Sequence, residues 1–246
     1  MLNEELQNFR DNMKQPWGRL YYKLIWSQLA DFADSDTARR VPTKILDFGS
    51  GFGTTSNYLA KNNEVIAVEP NVDMTEERER ENNYTQLNGK IEKLKDFSDG
   101  YFDVVTCHNV LEFVPERAEY VKEFSRVLKS GGIMSIVKHN KTGRIMFRVI
   151  FENNIDEAIK LLDGGDSSNA FGQVNYYNTE DIIKWGYNLK IERILGARIL
   201  GQLQQNNDIK YEPDWLDKMF EVEKKVCDIE QYKNIAFLNH VLLRKI

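Results

Sequence analysis

An α/β fold with a seven-stranded, mostly parallel sheet and helices on both faces is what this sequence predicts, and three observations carry that expectation. From Lys44 onward, short apolar runs alternate with stretches of helical period, the pattern of parallel strands joined by crossover helices. The strand-like run KILDF at 44–48 leads directly into Gly49-Ser-Gly-Phe-Gly, so a buried strand ends on a turn that lets backbone approach a ligand. A length of 246 residues accommodates one substantial core, so a single domain is expected over 1–246.

Element by element, Leu2, Leu6, Phe9 and Met13 share one helical face, and Leu20, Leu24, Leu29 and Phe32 continue it after the break at Pro16-Trp17-Gly18. This predicts an N-terminal cap of two helices within 1–40. The cofactor-binding half is expected over 41–140, with strands at 44–48, 64–69, 85–88, 102–107 and 133–139. Helices are expected near 54–61, 72–81 and 116–129, the last closed by Ser130-Gly131-Gly132 as a left-handed C-cap. Residues 141–178 leave the alternation and carry the turn DGGDSS at 163–168, so they read as an insertion after the fifth strand, lying over the substrate side. A helix at 179–185, a strand at 189–195, a helix near 214–231 and a strand at 235–243 complete the sheet within 179–246.

Composition narrows the function classes. Apolar residues at 41% and charged residues at 29% are ordinary for a globular protein. The longest apolar runs fall far short of the roughly 20 residues that cross a bilayer, and the acidic N-terminus lacks a basic leader, so a cytoplasmic protein without a membrane partner is expected. Cys107 and Cys227 are too few and too far apart for a disulfide framework, and His108, His139 and His240 lack ligand spacing, so no metal is expected. A net charge of −5 argues against a general nucleic-acid coat and against DNA as partner. A local basic face could still be drawn from Arg39 and Arg40, Lys138 with Lys141, Arg144 and Arg148, or Arg193 with Arg198. The acid-rich run TEERERE at 75–81 reads as a solvated helix face.

The chemistry-bearing constellation combines the glycine turn with Glu69, which ends the next strand 22 positions after Asp47. An acid there is placed to accept both hydroxyls of an adenosine ribose. At these residues the chain resembles the class I S-adenosylmethionine-dependent methyltransferases, a Rossmann-like class, and the likeness continues through DGYFDVVTCHNVLE at 99–112 and RVLKSGG at 126–132. The resemblance implies S-adenosylmethionine as cofactor, held by Asp47, Gly49, Ser50, Gly51, Gly53, Glu69 and Pro70. It further implies that Lys90 and Ile91 border the adenine, Lys90 replacing a common acid, and that His108 contacts the cofactor.

Beyond the shared core, GRLYYKLIW at 18–26, HNKTG at 139–143 and GAR at 196–198 resemble the bacterial tRNA 5-carboxymethoxyuridine methyltransferases. That likeness implies methyl transfer to the carboxylate of a modified wobble uridine in tRNA. The family's arginine for the cofactor carboxylate aligns with Tyr21, and Arg19 is its candidate substitute. Arg198, Tyr176, Tyr177 and Asn140 are candidates for positioning the substrate, the tyrosines by stacking on a base. No catalytic base is required of a carboxylate acceptor, which is already ionised. Three alternatives stand beside this reading: a small-molecule O- or N-methyltransferase using the same cofactor, a non-catalytic cofactor-binding partner module, and a nicotinamide dehydrogenase. The last is disfavoured because the glycines read G-x-G-x-G instead of G-x-G-x-x-G.

Overall fold

The computed structural model describes residues 2–33, 42–169 and 171–246. Two helices lead, α1 (Glu4–Lys14) and α2 (Pro16–Ala33). Asn3 caps α1 by accepting from the Leu6 amide at 2.9 Å, and Pro16 starts α2 where its missing N–H leaves no bond unmade. Arg39 and Arg40 lie outside the described residues.

The alternating half follows as β1 (Lys44–Phe48), α3 (Thr54–Leu59), β2 (Glu64–Glu69), α4 (Val72–Glu76), β3 (Thr85–Asn88), β4 (Phe102–His108), α5 (Arg117–Val127) and β5 (Leu128–His139). Next come α6 (Lys141–Ile150), α7 (Ile155–Leu162), the short hairpin β6 (Ser167–Asn169) and β7 (Gly172–Val174), and α8 (Thr179–Trp185). The chain closes with β8 (Leu189–Ala197), α9 (Leu200–Leu203), α10 (Trp215–Val226), α11 (Glu230–Ile235) and β9 (Leu238–Lys245).

Seven strands form one sheet in the order β3-β2-β1-β4-β5-β9-β8. The pairs from β3 to β5 are parallel, and β9 runs antiparallel between β5 and β8. The expected α/β, mostly parallel architecture is therefore the observed one. Because both faces are covered, the central strands are apolar almost throughout. Leu46, Phe48, Val105 and Met134 pack beneath Phe124 of α5 and Ile182 of α8. Ile45, Val104 and Ile133 pack on the opposite face with Leu29 of α2 and Leu59 of α3. The chain order reverses between β1 and β4, which opens a crevice at the carboxyl edge of the sheet.

Three sequence expectations change. The helix expected to 129 stops at Val127, and Leu128 already pairs with Phe102, so the glycines sit in the bulged start of β5 and not in a helix cap. Arg126, in the last turn, ties the helix end to the segment before β4 by donating to the carbonyls of Phe97 and Leu94, both at 2.8 Å. The helix expected over 72–81 ends at Glu76, because Glu79 turns back to take the Thr54 hydroxyl at 2.9 Å while its amide donates to Phe52 O. Part of the acid-rich run is thus a strap across the glycine turn. The insertion is also more regular than its punctuation suggests, holding two amphipathic helices and a hairpin.

His108, partly buried at the end of β4, heads a relay that fixes its tautomer. Gln28 donates its amide to Gly196 O at 3.1 Å, which leaves its oxygen to accept from His240 Nδ1 at 2.8 Å. His240 Nε2 must then accept from Ser135 Oγ at 2.7 Å, so His108 Nε2 carries the proton donated to Ser135 at 2.8 Å. Burial drives the His108 pKa down to about 3 and that of His240 well below its ordinary value. With folded values depressed, these histidines contribute stability above about pH 6.5 that is lost as pH falls, at roughly 1.4 kcal/mol per pH unit for each. In urea unfolding, the fall in stability from pH 7 to pH 5 is expected to be about 1–2 kcal/mol smaller in His240→Asn than in the parent chain. The buried carboxylates are common to both proteins and cancel in the difference; equal slopes would show that His240 does not stay neutral.

Candidate active site

The glycine turn is built by close approach. Gly49, Gly51 and Gly53 have φ of +77°, +56° and +72°, a region that side chains with a Cβ avoid. A Cβ on Gly49 would stand 2.2 Å from the Val110 side chain, and one on Gly53 would stand 2.1 Å from the Tyr84 hydroxyl. Gly49 and Ser50 both donate to Val68 O, at 2.8 and 3.2 Å, so the turn hangs from β2.

Two acids flank it. Asp47 is buried, and its carboxylate accepts from Thr106 of β4 at 2.7 Å and from Ser56 of α3. Burial raises its pKa while those hydroxyls pull the other way. Both oxygens are committed, so Asp47 braces the turn from beneath. Glu69 is only 7% exposed and accepts from the amides of Gly51 and Asn71, each at 2.9 Å. Each of its oxygens keeps a further lone pair for a ligand hydroxyl.

Aromatic side chains roof this end of the sheet. Phe9 of α1 stacks on Phe52 of the turn at 6.2 Å between ring centroids and meets Phe171 of the β6–β7 hairpin edge-on at 4.9 Å. Phe171 in turn meets Phe113, just beyond β4, at 6.1 Å. None of these phenylalanines was a sequence candidate, because their meeting depends on two segments more than 150 residues apart.

The carboxyl edge over β4, β5 and β8 carries a second group. Asn109 adopts φ +56°, donates to the Tyr21 hydroxyl at 3.1 Å, and leaves its own carbonyl oxygen buried without a partner among the described residues. Arg198 also has a positive φ, +56°, and the turn after it is held by buried Glu223, which accepts from the amides of Ile199 and Gly201 at 3.0 and 2.8 Å. The guanidinium of Arg198 lies 4.6 Å from the Phe237 ring centroid and that of Arg144 lies 5.5 Å from it. No carboxylate pairs with either among the described residues, and burial lowers the Arg198 pKa to about 10. His139 stands beside them, its pKa lowered to about 3 by burial and by Arg144, Arg198 and Lys138.

Several sequence candidates are placed elsewhere. Arg19 is exposed, whereas Tyr21 is turned to Asn109; two residues along a helix amount to about 200° of rotation, so Arg19 does not stand in for an inward arginine at position 21. The described side-chain hydrogen bond of His108 goes to Ser135 of the relay and not to the glycine turn. Asn140 spends its amide on the carbonyls of Asn234 and Ala236 and caps α6, so it is a latch and not a substrate contact. Tyr177 is buried against Trp185 with Lys138 and Arg117 over its ring, leaving no face for a base; Tyr176 is half-buried and bonded to Ser167. Lys90 and Pro70 are exposed and Ile91 partly buried. Of the basic residues, Arg148 pairs with Glu152 and Arg193 with Asp228, whereas Lys138, Lys141, Arg144 and Arg198 gather at the carboxyl edge. Among the described residues, no group of three or more His, Cys, Asp or Glu is placed to hold a metal ion. No described helix is long and apolar enough to cross a membrane.

Residues 46–136 match the family model described as a methyltransferase domain. This stretch runs from β1 into β5 and includes the glycine turn and Glu69, so the cofactor against which the site is to be tested is S-adenosylmethionine. The chain is 34% identical over 105 residues to a ubiquinone biosynthesis O-methyltransferase from Methylococcus capsulatus, covering 40% of this chain and 44% of that protein. It is 30% identical over 99 residues to a sarcosine/dimethylglycine N-methyltransferase from Aphanothece halophytica, covering 37% and 35% respectively. The match thus spans less than half the length of these curated relatives. A SAM-dependent methyltransferase structure from Archaeoglobus fulgidus superposes with a TM-score of 0.61 at 19% identity, over 97% of this chain and 99% of that one.

The residues fit that cofactor. Glu69 offers free lone pairs beside a turn whose three glycines permit close approach, and the orphaned Asn109 oxygen supplies a further acceptor at the head of β4. Substituting Gly49→Ala is expected to cost on the order of 1–3 kcal/mol of cofactor binding through strain and the Val110 clash, read by titration calorimetry with S-adenosylhomocysteine. Arg19→Ala should leave that affinity within about twofold, since less than ~0.5 kcal/mol rides on an exposed unpaired arginine; a tenfold loss would restore Arg19 to the site.

Proposed function

We propose that this protein transfers the methyl group of S-adenosylmethionine to an anionic acceptor, and that the acceptor is the carboxylate of a modified wobble uridine in tRNA. The observation that carries the transfer is the pairing of the glycine turn with Glu69 at the switch point of the sheet. The observation that favours an anion is the Arg144–Phe237–Arg198 stack at the same edge, two guanidiniums that no carboxylate pairs with among the described residues. The resemblance to the tRNA 5-carboxymethoxyuridine methyltransferases supplies the identity of the acceptor.

In this reading Glu69 holds the ribose hydroxyls, and the backbone of Gly49 and Ser50 borders the methionine portion. When bound, S-adenosylmethionine supplies a methyl group on a positively charged sulfur, open to in-line displacement. Arg198 and Arg144 orient the acceptor carboxylate, since a guanidinium grips a carboxylate through paired hydrogen bonds. A carboxylate is ionised at neutral pH and carries no proton to be removed, so the chain's contribution is alignment and exclusion of water. The Phe9–Phe171 contact serves the second task.

A second reading, methylation of a small molecule on oxygen or nitrogen, is favoured by the curated relatives, which are named for such reactions. Incubation with radiolabelled S-adenosylmethionine and separate tRNA and metabolite fractions from a strain deleted for the gene distinguishes the two. Label in tRNA, recovered by mass spectrometry as a methyl ester of a wobble uridine, is the expected result; label confined to metabolites would establish the second reading. Glu69→Ala should weaken cofactor binding by about 10- to 100-fold, the loss of a charge-assisted pair of hydrogen bonds. Cofactor binding without transfer to either fraction would leave a binding module and overturn the proposal.

A further inference from the structure

On the α5 and α8 face of the same edge lies a cavity of about 740 Å³ that the methyl-transfer reading does not use. Lys138 and Val137 are neighbours on β5 and therefore point to opposite faces of the sheet. Val137 packs in the cluster with Phe237 and α2, whereas Lys138 projects toward Tyr177 on the α8 side. Lys138 thus enters the cavity from the face opposite the Arg144–Phe237–Arg198 stack, and His139 borders both.

Lys138 is the unusual member of its wall. It is only 6% exposed, lines the cavity, and forms no hydrogen bond or ion pair among the described residues. Its ammonium lies 4.8 Å from the Tyr177 ring centroid. Its stem is buried while its head group faces the cavity with no carboxylate bonded to it among the described residues, so it is placed to meet an anion there. Two more cations line the same space with no carboxylate bond among the described residues: Arg117, over the Tyr177 ring at 5.4 Å, and Lys141, over the Tyr176 ring at 5.7 Å. The first turn of the ten-residue helix α6 opens here, adding the positive end of its dipole. Of the two acids in the wall, Asp181 is bonded to Lys184 and to the Asn178 amide, and Glu180 is exposed. His139 Nδ1, also in the wall, is buried without a partner among the described residues.

We propose that this cavity is a binding site for a phosphate group, with Lys138 as its anchor and Arg117, Lys141 and the start of α6 as its rim. The aromatic walls of Tyr176 and Trp185 suit a planar body attached to that phosphate. The proposal does not require the acceptor proposed above.

The test is titration calorimetry of the full chain with inorganic phosphate at constant ionic strength, followed by uridine monophosphate and by a short uridine oligonucleotide. Saturable phosphate binding is expected in the parent chain, at least tenfold weaker in Lys138→Met and restored in Lys138→Arg. Because a buried substitution can disturb folding, the exposed change Glu180→Gln serves as a second arm, and removing that negative charge should tighten phosphate binding severalfold. Binding of the monophosphate alone would assign the site to a free phosphomonoester, and binding of the oligonucleotide to a phosphodiester of RNA. No phosphate binding, or binding unchanged by both Lys138→Met and Glu180→Gln, overturns the proposal and leaves Lys138 as a distant counter-charge to buried Glu112. S-adenosylhomocysteine affinity measured on the same samples keeps this outcome separate from any failure of the cofactor site.

Discussion

The carboxylate of Asp47 is held at the one point where β1, β4 and α3 all meet, accepting from Thr106 on one side and Ser56 on the other. Its burial would be prohibitive for a lone charge, and the two hydroxyls offset that cost only while strand and helix keep their places. The position of the glycine turn follows from it. With β1 clamped to β4 and with Gly49 and Ser50 hung from Val68, the backbone can bend after Phe48 in one way, and three positive φ values accept that bend. Glu69 then meets the Gly51 amide without any further adjustment.

Around this fixed centre the chain spends its irregular features on the carboxyl edge. Asn109 and Arg198, two of the residues other than glycine with positive φ, both stand there. Buried Glu223 holds the turn that presents Arg198, and burial raises the pKa of Glu223 while the amides of Gly201, Ile199 and Leu200 stabilise its charge. An acidic protein of net charge −5 thereby gathers Lys138, Lys141, Arg144 and Arg198 at one end of its sheet. Such a local concentration of unneutralised cations matters for binding more than the overall charge does, because screening confines charge effects to roughly 8–10 Å.

The roof is assembled from the two regions that lie outside the alternating half. Helix α1 reaches over the turn with Phe9, and the hairpin in the insertion meets it with Phe171. Neither segment has a core of its own. Each is ordered by apolar contact with the other and with Phe52 and Phe113, so the cover over the site depends on two segments distant in the chain at once.

How much was legible in the sequence differs by the range of the forces involved. The strands of the parallel half, the glycine turn and Glu69 could be read directly, because apolar runs and positive-φ glycines are local consequences of local residues. The early end of the helix before β5 could not, since Leu128 leaves the helix to pair with Phe102 of β4, a contact distant in the chain. Arg19 and Tyr21 differ by two positions in sequence but by more than half a turn in space, and only the docking of α2 decided which one faces the site. His108 and Tyr177 carry side chains suited to ligands, yet packing engages the first in a hydroxyl–imidazole relay and buries the second in an aromatic cluster. The sequence by itself determined which chemical groups were available and the order of the strands' apolar runs. Tertiary structure decided which of those groups share an edge, a face or a cavity, because that choice rests on contacts between residues far apart in the chain.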